Sequence, residues 1–431
     1  MVNAGTIGEK SVLYCDLTQS WSAKGGGVGT YIRHKRRHIL DRGRDRHLLI
    51  IPGQHDGTVI DENGRAITVT IASPRVPGSP NYRLLLRNRA VRNALARHRP
   101  DLIECQDAYN LPWAAIAHGR AFPHTALVAA YCTDFPTVYV RHWVAKRFGA
   151  AVGRGAARLA YAYAARLYRR FDALFAMSEN GGAATLRALG AGRVDIVPLG
   201  VELGEFSPAK RNPALRASLG VGDDEPIIIY AGRVDQEKRA EVVVEAFLQL
   251  PAELKAFLVL IGDGSLRDGL AAQLAGRRAV LPGFIDDRPE LARWLASADI
   301  YASAMANETF GISVIEAQAS GLPVVGVAAG AMIDRVTPEI GRIGPIGDAA
   351  AMARNICDVW AADHGAMARA SALHAQQFCW SNSMETLFGE LYPRALARAA
   401  GRALQSVGAR AAGVARGVVA DGPRGRALRP D

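Results

Sequence analysis

Three clusters in the 431-residue sequence combine residue types that handle phosphate and hydroxyl groups. In Gly232-Arg-Val-Asp-Gln-Glu-Lys238, Arg233 and Lys238 follow the apolar run 226–231 directly. A guanidinium fork and an ammonium point charge at a strand end can together neutralise a diphosphate. The same residues also read as charges on a solvated loop. In the second cluster, Glu308-Thr309-Phe310-Gly311-Ile312-Ser313-Val314-Ile315-Glu316, one carboxylate lies just before a helix expected to begin near Gly311 and the other one to two turns inside it. Backbone N–H groups at that N-terminus could hold phosphate, and the carboxylates could accept from sugar hydroxyls. The plainer reading is an acid that complements the helix dipole. Glu316 falls among Ile315, Ala317 and Ala319, where a carboxylate needs a partner. The third cluster is Lys24-Gly25-Gly26-Gly27-Val28-Gly29-Thr30. Residues without a Cβ let backbone N–H groups approach an anion closely, though a flexible surface loop has the same composition. Thr30 breaks the dinucleotide-binding fingerprint, and the lysine–serine ending of a P-loop is absent.

The elements around these clusters set where they must lie. Apolar runs rich in Val, Ile and Leu occur at 11–15, 47–52, 66–72, 101–105, 125–131 and 173–177, and again at 226–231, 256–261, 299–303 and 323–327. Continuous rather than alternating apolar runs suit strands covered on both faces. Helical stretches between them predict right-handed βαβ units in two open parallel sheets, an α/β class of two doubly wound domains. In such sheets, ligands bind past the carboxyl ends of the strands, where all three clusters fall. The junction is expected near Pro198–Asp224, rich in Gly, Pro and charge. The expected divisions are 1–200, 201–384, a helix over 385–400, and a mobile tail over 401–431. That tail is biased to Ala, Arg and Gly and has little apolar surface to bury.

Composition narrows the class further. An apolar fraction of 49% with 22% charged residues excludes bulk disorder. Five cysteines with no C-x-x-C spacing make neither a disulfide framework nor a structural zinc site. The first ten residues lack a signal-peptide apolar run, and no long uncharged apolar window exists, so a cytoplasmic protein is expected. The charge of +11 is uneven: residues 1–200 carry 28 Lys+Arg against 14 Asp+Glu, residues 201–431 carry 24 against 27. The first half therefore suits an anionic membrane, nucleic acid or a phosphorylated ligand.

Taken together, the three clusters, the turn Pro198–Pro208, Gly262-Asp-Gly264 and Leu281-Pro-Gly-Phe-Ile-Asp-Asp-Arg288 resemble the retaining glycosyltransferases of family 4, in that family's order and spacing over roughly residues 10–395. The resemblance implies the GT-B fold, two Rossmann-like domains facing a cleft. It implies a nucleotide-diphosphate sugar, UDP- or GDP-linked, as co-substrate, and no metal. Arg233 and Lys238 would hold the diphosphate, Glu308 the transferred sugar and Glu316 the ribose. Gly283, Phe284 and Ile285 would face the base. Gly232, Gly264 and the segment Thr309, Phe310, Gly311 and Ile312 would complete the donor site, with Gly26 and Gly27 closing from the other domain. Trp380 and the following helical run resemble the segment that crosses back to the first domain. One departure stands in Tyr131-Cys132-Thr133-Asp134-Phe135-Pro136: Cys132 occupies the place of the family's sugar-orienting His, and Asp134 is a candidate for the acceptor hydroxyl.

The acceptor side is read from charge. Arg75–Arg99 carries seven Arg and no acid, and Arg141–Arg170 eight Lys+Arg and no acid, interleaved with Trp143, Phe148, Tyr161, Tyr163 and Tyr168. A basic amphipathic helix with aromatics suits a membrane surface, whereas a solvated face with aromatics turned inward is the ordinary alternative. The expectation is transfer of a hexose or hexuronic acid to a membrane lipid or lipid-linked envelope acceptor by a protein peripheral to the inner membrane face. The alternatives are a soluble or exopolysaccharide acceptor, a non-catalytic binding protein, or a basic nucleic-acid binder. No recognised nucleic-acid module is present, so nucleic acid is not expected as a partner.

Overall fold

The computed structural model describes residues 11–22, 26–76 and 79–420. Lys24, Gly25, the first ten residues and 421–431 lie outside the described residues.

The first lobe is built on strands β1 (Leu13–Leu17), β2 (Arg46–Gly53), β3 (Gly57–Asp61) and β4 (Ala66–Ala72), then, past a short ribbon of β5 (Arg75–Val76) and β6 (Ser79–Arg83), on β7 (Leu102–Cys105), β8 (Ala126–Tyr131), β9 (Ala173–Ala176) and β10 (Val194–Ile196). They form one eight-stranded sheet in the order β10-β9-β8-β7-β1-β2-β4-β3. Every pair is parallel except β3 with β4, a hairpin that closes the sheet edge with exposed residues. The second lobe holds β11 (Ile227–Ala231), β12 (Phe257–Ile261), β13 (Ala279–Gly283), β14 (Ile300–Ala302), β15 (Val324–Val327) and β16 (Gly341–Gly344) in the order β13-β12-β11-β14-β15-β16. All pairs in this sheet are parallel. Both lobes are doubly wound α/β domains, as the apolar runs predict. Buried strands such as Ile227–Ala231 and Phe257–Ile261 carry apolar residues on both faces because helices cover both.

The core of the first lobe also contains charge. Lys35 lies on the helix Gly27–Asp41 and is 1% exposed. Its ammonium donates to Asp16 at 2.6 Å, Glu104 at 2.8 Å and the Tyr392 hydroxyl at 3.1 Å. His47 meets the other Asp16 oxygen at 2.7 Å, and Tyr31 and Tyr392 donate to Glu104 at 2.9 and 2.5 Å. Burial opposes ionisation of Asp16, but Lys35 and His47 outweigh it and bring its carboxyl down to about 2. Burial brings His47 down to about 4 despite Asp16. A buried charge so fully partnered is structural rather than available to a ligand.

The chain crosses between the lobes twice. The outward crossing follows β10, and the return enters the helices Trp380–Glu385 and Tyr392–Ala420. The two crossings are bonded to each other: Val201 N–H donates to Phe378 O at 2.8 Å and the Ser383 hydroxyl to Pro198 O at 2.5 Å. Trp380 stacks on His34 with ring centroids 4.1 Å apart. The last helix does not end at residue 400 but continues to Ala420. An alanine seam (Ala395, Ala399, Ala403) is buried there, and Arg402 pairs with Asp172. Small side chains let the helix lie close to the first sheet, so little apolar bulk is needed.

Candidate active site

In the second sheet the strand order reverses between β11 and β14, opening a crevice past their carboxyl ends. Two of the three clusters leave the sheet there: the loop after β11 carries Gly232, Arg233 and Lys238, and the loop after β14 carries Glu308 to Gly311. Lys238 Nζ donates to Glu308 Oε2 at 3.0 Å across a sequence separation of 70 residues. Burial opposes the Glu308 charge, but Lys238 and the backbone N–H groups of Gly311 and Phe310 outweigh it and hold its carboxyl below the usual range. Gly311 has φ +81°, a left-handed conformation that suits glycine, and starts the helix Ile312–Ala319. The loop therefore turns sharply from Glu308 into a helix N-terminus, as its composition predicts.

Arg233 is 55% exposed and pairs with Asp235 and, at 2.6 Å, with Glu237. Although partial burial works against it, the Glu237 and Asp235 carboxylates keep its guanidinium firmly protonated. Burial pushes the Tyr139 phenol up, Glu237 adds to the shift and Arg233 opposes it. Exposed pairs of this kind contribute about 0–1 kcal/mol, so they fix the guanidinium only weakly.

Glu316 lies one turn deeper, 4% exposed. The partner its setting demands is Arg288, whose Nη2 donates to Oε1 at 2.7 Å. Burial still pushes the Glu316 carboxyl up, with Arg288 countering in part. Arg288 lies within a motif singled out in the sequence, yet nothing local marks it as the partner of Glu316. Gly264 packs on the Val234 backbone, Phe284 follows β13 and is 59% exposed, and Ile285 rests on the core.

At the first lobe's carboxyl edge, Gly26 precedes the helix Gly27–Asp41 beside the Tyr82 hydroxyl, and Gly27 lies beside Leu199. The two Asp134 carboxylate oxygens accept from Tyr161 at 2.8 Å, so Asp134 is engaged within its own lobe. Cys132 lies just past β8, its thiol pushed up by burial and its carbonyl accepting from Thr309 Oγ1 at 2.9 Å. That contact with the second lobe was not visible in the sequence. Of the aromatics in the basic segment, Trp143 and Phe148 are 67% and 57% exposed, whereas Tyr168 is buried and Tyr163 accepts from Trp113. Among the described residues, no three His, Cys, Asp or Glu gather as a metal site, and no helix is long and apolar enough to cross a membrane.

Residues 25–205 match the family described as Glycosyltransferase Family 4, and residues 225–362 match Glycosyl transferases group 1. The D-inositol 3-phosphate glycosyltransferase of Xylanimonas cellulosilytica is 31% identical over 411 residues, covering 90% of this chain and 96% of that protein. A GDP-mannose-dependent alpha-(1-6)-phosphatidylinositol dimannoside mannosyltransferase of Mycobacterium tuberculosis is 29% identical over 329 residues, 74% of this chain and 81% of that protein. Among solved structures, sucrose-phosphate synthase of Thermosynechococcus elongatus superposes with a TM-score of 0.69 at 21% identity, covering 89% of this chain and 100% of that one. HepE of Anabaena, in complex with UDP and glucose, gives 0.64 at 18% identity, covering 89% and 99%.

Proposed function

Because this chain belongs to glycosyltransferase family 4 and is a nucleotide-sugar-dependent glycosyltransferase, we propose that it transfers a hexose, with retention of configuration, from a UDP- or GDP-linked donor to a membrane lipid or lipid-linked acceptor. The observation that carries this reading is the pairing of Lys238 with Glu308 at the switch point of the second sheet, with Arg233 beside it. Glycosyl transfer builds positive charge at the anomeric carbon and negative charge on the departing diphosphate. Arg233 and Lys238 stand where that negative charge develops, so this reading requires no divalent ion. Glu308, held ionised, accepts from sugar hydroxyls. Glu316, kept in place by Arg288, takes the ribose, and the exposed Phe284 ring offers a surface to the base. Attack comes from the front face, with the leaving phosphate taking the acceptor proton, and Asp134 is the first-lobe group offered to the acceptor hydroxyl.

Relatives whose names specify inositol phosphate and phosphatidylinositol dimannoside support a polyol or lipid-linked acceptor. Exposed Trp143, Phe148 and Leu159 beside Lys146, Arg147, Arg154 and Arg158 support docking on an anionic membrane face. Thermal-shift titration with UDP, GDP and ADP and their sugars tests the donor, since a ligand of the folded state raises the melting temperature. No shift with any of them defeats the proposal. Flotation with phosphatidylglycerol vesicles at low salt tests the membrane face: a chain left in the pellet fraction takes a soluble acceptor instead.

A further inference from the structure

The residue between Glu308 and Phe310 has its hydroxyl and its carbonyl taken by the opposite lobe. Thr309 Oγ1 donates to Cys132 O at 2.9 Å, just past β8. The Thr309 carbonyl accepts from Ser178 Oγ at 3.0 Å, just past β9. Ser178 Oγ in turn accepts from Gly181 N–H at 3.0 Å, and a Cβ on Gly181 would overlap the Thr309 carbonyl oxygen. The next residue is held through Arg335, which is 5% exposed. Its Nε donates to Phe310 O at 3.2 Å and its Nη2 to Met177 O at 3.0 Å. Its guanidinium carbon lies 4.7 and 4.6 Å from the ring centres of Phe310 and Phe378. Alongside, Asp334 accepts from the Asn180 backbone at 2.8 Å and its side-chain amide at 2.6 Å.

We infer that Thr309 and Arg335 are positioning residues that couple lobe closure to assembly of the donor site, so that the Glu308–Gly311 loop is set for chemistry only while the lobes are together. This rests on the proposed role of that loop in holding the donor sugar. Hydrogen bonds of 2.9–3.2 Å are lost when the partners separate by about 0.5 Å, so any parting of the lobes along this seam releases Thr309. Glu308 and Gly311 flank it on the same short backbone, and the left-handed turn at Gly311 leaves that backbone few alternatives. Release of product by opening and loosening of the grip on its sugar site thus become one event. A donor bound to the second lobe alone does not meet a finished site, which limits its loss to water.

The test compares Thr309→Val, close in shape but without the hydroxyl, with Thr309→Ser, which keeps it. The readouts are turnover of UDP-glucose or GDP-mannose to the free nucleoside diphosphate, affinity for UDP or GDP, melting temperature, and amide exchange over residues 308–316 in the ligand-free protein. Thr309→Val should lower kcat about tenfold and speed exchange of the loop about tenfold, the effect of one lost hydrogen bond. Nucleoside diphosphate affinity should stay within about threefold and Thr309→Ser should recover both losses. The inference is overturned if Thr309→Val leaves kcat and loop exchange within about twofold, or if serine is no better than valine. It is also overturned if kcat, affinity and melting temperature fall together, as a merely structural role predicts. The exchange readout needs no substrate, so wild-type protein that turns over neither donor would defeat the proposed function while the seam is still judged by its amides.

Discussion

Each lobe places a lysine against carboxylates, and the two settings are opposites. Lys35 is sealed in the first lobe with Asp16, Glu104 and Tyr392, all at 2.6–3.1 Å. Lys238 is 22% exposed at its side chain and makes one close ion pair, 3.0 Å to Glu308. The chemistry of the pairs is the same. Solvent access and the number of filled donor positions decide that one holds the fold together while the other keeps the open donor positions that its proposed diphosphate role requires. A lysine ammonium has three donors, and in the first lobe carboxylates and a tyrosine engage them, leaving no position for a ligand.

One substitution, made in both places, puts that contrast at risk. Lys35→Met leaves Asp16 and Glu104 buried without their cation and should lower stability by roughly 3–5 kcal/mol in urea unfolding. Lys238→Met leaves Glu308 the backbone N–H groups of Gly311 and Phe310 and should cost less stability than Lys35→Met, while lowering turnover by roughly 10²–10³, as Arg233→Ala should. If the unfolding midpoints of the two lysine variants coincide, the distinction collapses. Acid sharpens it next. His47 sits at about 4, below its ordinary value of 6.5, so the neutral form is favoured in the fold. Its contribution is complete above pH 6.5 and is lost as pH falls towards 4, on the order of 3 kcal/mol. Asp16, held at about 2, loses its share below pH 3.8. Unfolding measured from pH 7 to 4 should therefore show a falling stability that His47→Gln makes shallower. The smallest effect concerns Arg288. Burial raises Glu316 and Arg288 opposes it, so Arg288→Met should raise that carboxyl further. Nucleotide affinity of the variant should then fall more steeply towards acid pH than that of the wild type. Calorimetry showing as flat a profile as wild type would separate Arg288 from Glu316 ionisation.

The central strands were legible because they are apolar throughout: β11, β12, β14 and β15 fall on the runs 226–231, 256–261, 299–303 and 323–327. Edge strands were not. β13 contains Pro282, tolerated because the outer side of an edge strand needs no donor there, and β16 is the four-residue Gly-Arg-Ile-Gly. β3 is fully exposed and carries no core signal. The cleft cluster was legible for a related reason: Arg233, Lys238 and Glu308 directly follow central strands, so their meeting place follows from the sheet. Arg288, Arg335 and Ser178 were missed because their roles exist only through partners 28, 158 and 131 residues away. The basic segment misled in part. Tyr163 and Tyr168 serve the interior, and only Trp143 and Phe148 keep the outward setting that charge and aromatics together suggest.

The paired crossings near Pro198–Val201 and Phe378–Ser383 have a mechanical result. Two covalent links stitched side by side form an axle: any turning of one half of the molecule against the other is confined to that line, and the halves cannot drift apart. Cutting the chain between Gln376 and Cys379 would turn that axle into a slack tether: the jaws would still meet, but in many alignments instead of one.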